Sequence, residues 1–302
     1  MRAAPSDRRD NCLNLRQFSL LVLLSAIWGS SFMFIRLTVG DFGAVPLTAS
    51  RSLVGACTLL PLMLLSKQWL LFRRYWPQLL VVGLISTALP FTFLSISTQY
   101  TSAGFASILN ALTPVFSALI AWLWLSETLS LAAIGGIALS FGGLVVMVFD
   151  RDTISASFPL LPVLAGIGAT LMYGLTGNYT RKYLIGVPPL VVSAGSQVFA
   201  SLALAPFAWW LWPAAPVPAS SWVIAVVLGV LCTGVAYIIY FHLLATVGVA
   251  RTVIVTYLAP VFALLWGFLL LAESPTPKML IGAGAIMLGI GLTTYKKSGT
   301  SR

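Results

Sequence analysis

The sequence is poorest in the residues that carry chemistry in water. Asp and Glu together number seven in 302 residues, histidine occurs once, and charged residues of both signs make up 8% of the chain. A soluble surface needs roughly a quarter of its residues charged, which excludes a water-soluble globular domain. The three cysteines, Cys12, Cys57 and Cys232, are far apart and odd in number. They have neither metal-ligand nor redox spacing and read as small apolar fillers. One histidine cannot build a multi-histidine metal site, no paired aspartates stand ready for acid–base work, and no GxxxxGK loop follows a strand. No catalytic residue, metal or cofactor is therefore expected, and a membrane-embedded enzyme is the weaker class of reading.

What the chain has instead is apolar length. Residues of apolar type make up 59% and the mean hydropathy is +0.98. At ~20 residues per span this length admits about ten membrane helices, predicted near 17–38, 46–66, 77–97, 101–125, 130–149, 159–180, 189–211, 221–244, 249–271 and 279–295. The net charge of +10 does not point to nucleic acid, because the basic residues fall in short loops and tails where they orient spans in a lipid bilayer. With the N-terminus in the cytoplasm, 13 of the 17 basic residues lie inside, and only Arg36, Arg51, Arg151 and Lys278 lie outside. Both termini are thus expected in the cytoplasm of a multi-pass inner (plasma) membrane protein. The first apolar stretch is too long for a signal peptide and is read as a retained anchor.

The sequence also repeats itself. An offset of 146 residues places Trp76 over Trp222, Gly83 over Gly229, Thr87 over Thr233, Pro114 over Pro260, Glu127 over Glu273, Gly136 over Gly282 and Gly143 over Gly289. At 145, Trp28 falls over Tyr173, Gly29 over Gly174 and Arg36 over Arg181. Each half holds five spans, an odd number, so the second half enters the membrane from the opposite side. The expected fold is an all-α integral membrane protein of ten helices in two inverted five-helix repeats. Its divisions are a tail over 1–16, a first repeat over 17–149, an outer loop over 150–158, a second repeat over 159–295 and a tail over 296–302. Inverted repeats recur in secondary transporters, where two similar halves expose one midplane site to either side in turn.

Taken in order, Trp28-Gly29-Ser30-Ser31-Phe32 with Arg36, then Arg51, Tyr100 to Ser107, Pro114-Val115-Phe116, Glu127, and the second-half Tyr173-Gly174, Ala259-Pro260-Val261-Phe262 and Glu273 resemble the EamA-type families of the drug/metabolite transporter superfamily. The resemblance covers roughly residues 17–295. The second half departs from the first in having Gln197 near the place of Arg51 and Val249-Ala250-Arg251 in place of Ala103-Gly104-Phe105. The resemblance implies an inner-membrane carrier, usually an exporter of amino acids or other small metabolites. It leaves drugs, quaternary ammonium compounds and sugar-like metabolites open as other substrate classes.

Candidate substrate-contacting residues follow from helical spacing. Ala106, Asn110, Thr113 and Ser117 share one face of the fourth span, and their repeat mates are Thr252, Thr256, Ala259 and Ala263. An amide in hydrocarbon must face protein or a wet cavity. Pro114 and Pro260 are expected inside their helices as hinges, each releasing the carbonyl four residues back, those of Asn110 and Thr256. Trp28 and Ser31 in the first span, Tyr173 and Asn178 in the sixth, Tyr237 and Tyr240 in the eighth and Tyr257 in the ninth complete the expected cavity lining, since aromatic faces offer apolar area and attract cations. Arg51 is expected at the cavity mouth near the outer surface, snorkelling or drawing in a carboxylate. Glu127 and Glu273 precede helices and are explained by a meeting with a helix N-terminus. Gly135, Gly136, Gly142 and Gly143 recur as Gly282, Gly284, Gly289 and Gly291, small faces suited to close packing or to a homodimer.

Overall fold

The computed structural model describes residues 14–149, 160–252 and 254–294. The expected outer loop over 150–158 and the tails, residues 14–16 apart, lie outside the described residues. Among the described residues, ten helices are long and apolar enough to cross a membrane: α1 Leu15–Phe42, α2 Ala44–Leu65, α3 Trp76–Tyr100, α4 Ala103–Leu125, α5 Leu131–Val148, α6 Leu160–Tyr183, α7 Pro189–Trp210, α8 Ala219–Val247, α9 Ile254–Leu271 and α10 Pro277–Thr294. Polar side chains set several starts. Asn14 and Gln17 form a reciprocal capping box at α1, Ser102 accepts from the Phe105 N–H at 3.1 Å, and Ser130 accepts from the Ala133 N–H at 3.1 Å. Between α1 and α2 the chain turns on Gly43 alone, at a φ of +77° that a side chain would strain.

Among the described residues the structure adds a short helix to the ten. Trp69–Arg74 precedes α3, with Phe72 buried against Phe199 and Leu70 exposed, an arrangement suited to the membrane interface. Residues Val249–Thr252 are helical as well, within the ninth span expected over 249–271. The fourth span is interrupted. Its helix runs over Ala103–Asn110, pauses at Ala111 and Leu112, and resumes over Thr113–Leu125. Pro114 therefore sits in the first turn of a new segment rather than inside a helix, where its missing N–H costs nothing. The Asn110 carbonyl is not left open, because Thr113 Oγ1 donates to it at 2.8 Å.

The halves interlock. α1 packs on α9 and, equivalently, α6 on α4; α3 packs on α7 and α8 on α2. α2 meets its own mate α7, and α5 meets α10. In the last pair, a Cβ added to Gly136 would lie 2.4 Å from the Gly289 carbonyl oxygen, and one on Gly143 would lie 2.6 Å from that of Gly282. Residue numbers rise along one helix as they fall along the other, so α5 and α10 are antiparallel, as inverted mates must be. Gly135, Gly142, Gly284 and Gly291 have open space on their far side.

One further symmetry concerns the backbone. α3 and α8 each open into a π-helical stretch, Leu84–Ala88 and Val230–Val235. The two begin 146 residues apart. Wide turns of this kind frequently mark functional sites, because the extra residue turns carbonyls and side chains off the regular ladder.

Candidate functional site

A cavity of about 320 Å³ lies between the two repeats. Eight of the residues singled out from sequence line it: Trp28, Ser31, Asn110, Thr113, Tyr173, Tyr237, Tyr240 and Thr256, with Pro114 and Pro260 beside them. Two do not. Asn178 donates to the Ser117 carbonyl at 2.9 Å and the Gly174 carbonyl at 2.9 Å, which binds α6 to α4 and leaves the amide facing protein. The Tyr257 hydroxyl lies 3.1 Å from Thr294 Oγ1 and faces α10. Tertiary packing decides which side of a helix meets empty space.

Arg51 corrects the sequence reading most sharply. It is neither at a mouth nor snorkelling: its exposure is 5%, and it leaves the group of outer-side charges. Its Nε donates to Thr233 Oγ1 at 3.2 Å, and its guanidinium lies 4.0 Å from the centre of the Phe91 ring. Thr233 Oγ1 in turn donates to the Leu228 carbonyl, five residues back across the wide turn of α8. The other half repeats the contact in neutral form. Gln197 Nε2 donates to Thr87 Oγ1, at 3.4 Å, in the wide turn of α3. Each repeat thus sends one polar side chain from its second helix to the threonine of its partner repeat.

Aromatic rings form another part of the lining. Trp28 and Tyr240 have ring centroids 5.4 Å apart, and Tyr237 meets Trp28 edge-on at 6.5 Å. Trp28, Asn110, Thr113, Tyr237, Tyr240 and Thr256 are partly or fully exposed, whereas Phe32, Ile35, Arg51, Phe91 and Leu94 are buried. The cavity therefore opens toward the end of the bundle where α1 begins and α10 finishes, and is sealed toward the other. Phe91, Leu94, Ser107 and Cys232 also line it and were missed from sequence. For the turn next to Cys232 a signal existed, because the repeat register had already paired Thr87 with Thr233.

Ion pairs that cross between the repeats sit at both ends. At the sealed end Arg36 Nε lies 3.6 Å from Glu273 Oε1, Arg36 Nη1 donates to the Gln99 carbonyl at 2.7 Å, and the Ala103 N–H donates to Glu273 Oε2 at 2.9 Å. At the open end Arg181 pairs with Glu127. Glu273 thus meets the N-terminus of α4, not that of the helix it precedes, and Glu127 meets an arginine. Both acids are aimed by the same device. Ser126 and Ala272, 146 residues apart, take left-handed conformations, with φ of 56° and 54°. The next N–H then returns to the carbonyl of Ala121 or Gly267. The sealed pair is the more buried, its side chains 36% and 20% exposed against 61% and 44% at the open end.

The profile of the EamA-like transporter family matches residues 16–149 and again residues 160–295. The chain belongs to the EamA-like transporter family. It is accordingly a multi-pass membrane transporter built of two EamA repeats. Relatives match over nearly their whole length. An uncharacterized transporter of Archaeoglobus fulgidus is 23% identical, covering 94% of this chain and 100% of that protein. A protein of Streptantibioticus cattleyicolor named a probable terminal-alkyne amino-acid exporter is 27% identical, covering 93% of this chain and 94% of its own. A solved crystal structure superposes with a TM-score of 0.66 over 92% of this chain and 96% of that one, at 18% identity, and shares the fold. Within this EamA chain, the junction between repeats is where the cavity lies.

Proposed function

We propose that this EamA-family chain exports amino acids or closely similar small metabolites from the cytoplasm by alternating access, with both termini in the cytoplasm. The observation that carries the reading is one cavity shared by both repeats and placed between two cross-repeat ion pairs of the same design. In an inverted repeat, the arrangement of one half is available to the other, so exchanging the two closures would reopen the cavity on the opposite side. The volume, about 320 Å³, is at the low end for small-molecule sites and suits a metabolite rather than a large drug. With Arg51 enclosed, the split of basic residues is 13 to three; it supports cytoplasmic termini, and with them an open end of the cavity on the cytoplasmic side. The name of the S. cattleyicolor relative supports amino acids as the substrate class.

The test is counterflow in liposomes holding the purified protein, with a panel of radiolabelled amino acids, organic cations and sugars. Exchange of at least one amino acid above protein-free liposomes is expected. Inactivity across the whole panel, with folded protein confirmed by its thermal transition, would sink the reading.

A further inference from the structure

We propose that Arg51 is the anchor for a carboxylate on the transported molecule, and that Asn110 with the Trp28–Tyr240 wall receives its ammonium end. The inference rests on the export reading and names its substrate chemistry: a zwitterion with a free carboxylate, as opposed to an organic cation. Three observations converge on it.

The first is an unbalanced charge. Arg51 is buried in the cavity wall, and among the described residues no Asp or Glu lines the cavity with it. Its Nε is used on Thr233 and its planar face on Phe91, while the remaining N–H donors of its fork have no partner among the described residues. Buried charges in proteins are paired, since an isolated one carries a heavy desolvation cost. A guanidinium fork matches a carboxylate with two parallel hydrogen bonds.

The second is the repeat mate. Gln197 holds the equivalent position and makes the equivalent threonine contact without a charge. The fold therefore accommodates an amide at this point of the architecture, and the positive charge in the first half serves something other than packing. Its place on the cavity wall says what that is.

The third is an acceptor without a donor. Asn110 and Ser107 both line the cavity, and Asn110 Oδ1 and Ser107 Oγ are buried atoms with no hydrogen-bond partner among the described residues. Asn110 Oδ1 can only accept, so it calls for a donor such as an ammonium, for which the neighbouring aromatic faces are also attractive. The fixed positive charge of Arg51 repels a bare cation, whereas in a zwitterion the carboxylate meets it.

Binding is measured on purified protein with L-leucine, L-phenylalanine and L-threonine, each beside its carboxamide and its decarboxylated amine. The wild type should bind its best amino acid at least about tenfold more tightly than the matching carboxamide or amine, the effect of one lost charge-assisted pair. Arg51→Gln should weaken that acid about tenfold or more and hold the carboxamide within about threefold. Arg51→Lys should recover part of the preference. Equal binding of acid and carboxamide by the wild type overturns the anchor and leaves export standing; this comparison decides the matter even if Arg51→Gln fails to fold. Undiminished affinity of a folded Arg51→Gln for the acid overturns it as well. Transport of organic cations alone would overturn both the anchor and the amino-acid reading.

Discussion

Arg51 and Gln197 share one position in the two halves, and the difference between them was visible before any coordinates, as a mismatch in the repeat register. What could not be read was their depth. Counted from the start of α2, Arg51 falls within reach of the outer surface, and only the packing of α8 against α2 shows it enclosed beside Thr233. Asn178 fails the other way: its type and depth suit a cavity, but its amide is satisfied by Ser117 and Gly174. Glu273 adds a titration. Burial pushes its carboxyl above the ordinary carboxylate value, while the Ala103 N–H and Arg36 pull it back. The net direction is upward, so the folded state holds this proton more tightly than the unfolded chain does. Stability from this group is present in full at low pH and is lost as pH rises through the raised value. The melting temperature of the wild type relative to Glu273→Gln should therefore rise as pH falls from 7 toward 4. A relative fall over that range would mean that Arg36 and the N–H outweigh burial.

At the scale of elements, hydropathy marked ten spans because lipid imposes a long apolar run on each, and the structure moves their ends by only a few residues. The interruption of α4 was less legible. Proline signalled that something happens near 114, but a kink and a restart look alike in sequence, and the Thr113 hydroxyl on the Asn110 carbonyl favours the restart. The wide turns of α3 and α8 leave one trace in the sequence, the pairing of Thr87 with Thr233 in the repeat register. The glycine helices were legible as a close contact, and sequence left open whether it lies within the chain or between two copies; Gly136 and Gly143 make it within the chain. Here a paired substitution discriminates. Gly136→Ala would put a Cβ 2.4 Å from a backbone oxygen of α10, whereas Gly135→Ala would meet nothing within 4 Å. Gly136→Ala should cost about 1–3 kcal/mol, the usual penalty for forcing atoms into a packed contact, and Gly135→Ala should be neutral or slightly stabilising, since alanine is the better helix former. Thermal unfolding in detergent reports both, and equal transitions would place the α5–α10 contact elsewhere.

For the molecule as a whole, the inverted repeat explains why single features come in pairs: two threonines in two wide turns, two left-handed residues aiming two glutamates, two arginines from α1 and α6 meeting them across the repeat boundary. Function enters where the pairs are unequal. One closure is more buried than the other, and the cavity opens to the end of the more exposed one; one polar mate is charged and the other neutral, so the cavity carries a net positive charge. Both asymmetries lie on the path the proposed substrate takes. Thr256 stands on that path, exposed and on the cavity wall. The most direct measurement places a single cysteine there, Thr256→Cys, with Cys12, Cys57 and Cys232 replaced, and follows its reaction with a membrane-impermeant maleimide in inside-out and right-side-out vesicles. The account predicts labelling from the cytoplasmic face that slows when a transported amino acid is added and is unmoved by one that is not transported. Labelling from the outer face alone, or at a rate indifferent to every transported amino acid, would contradict it.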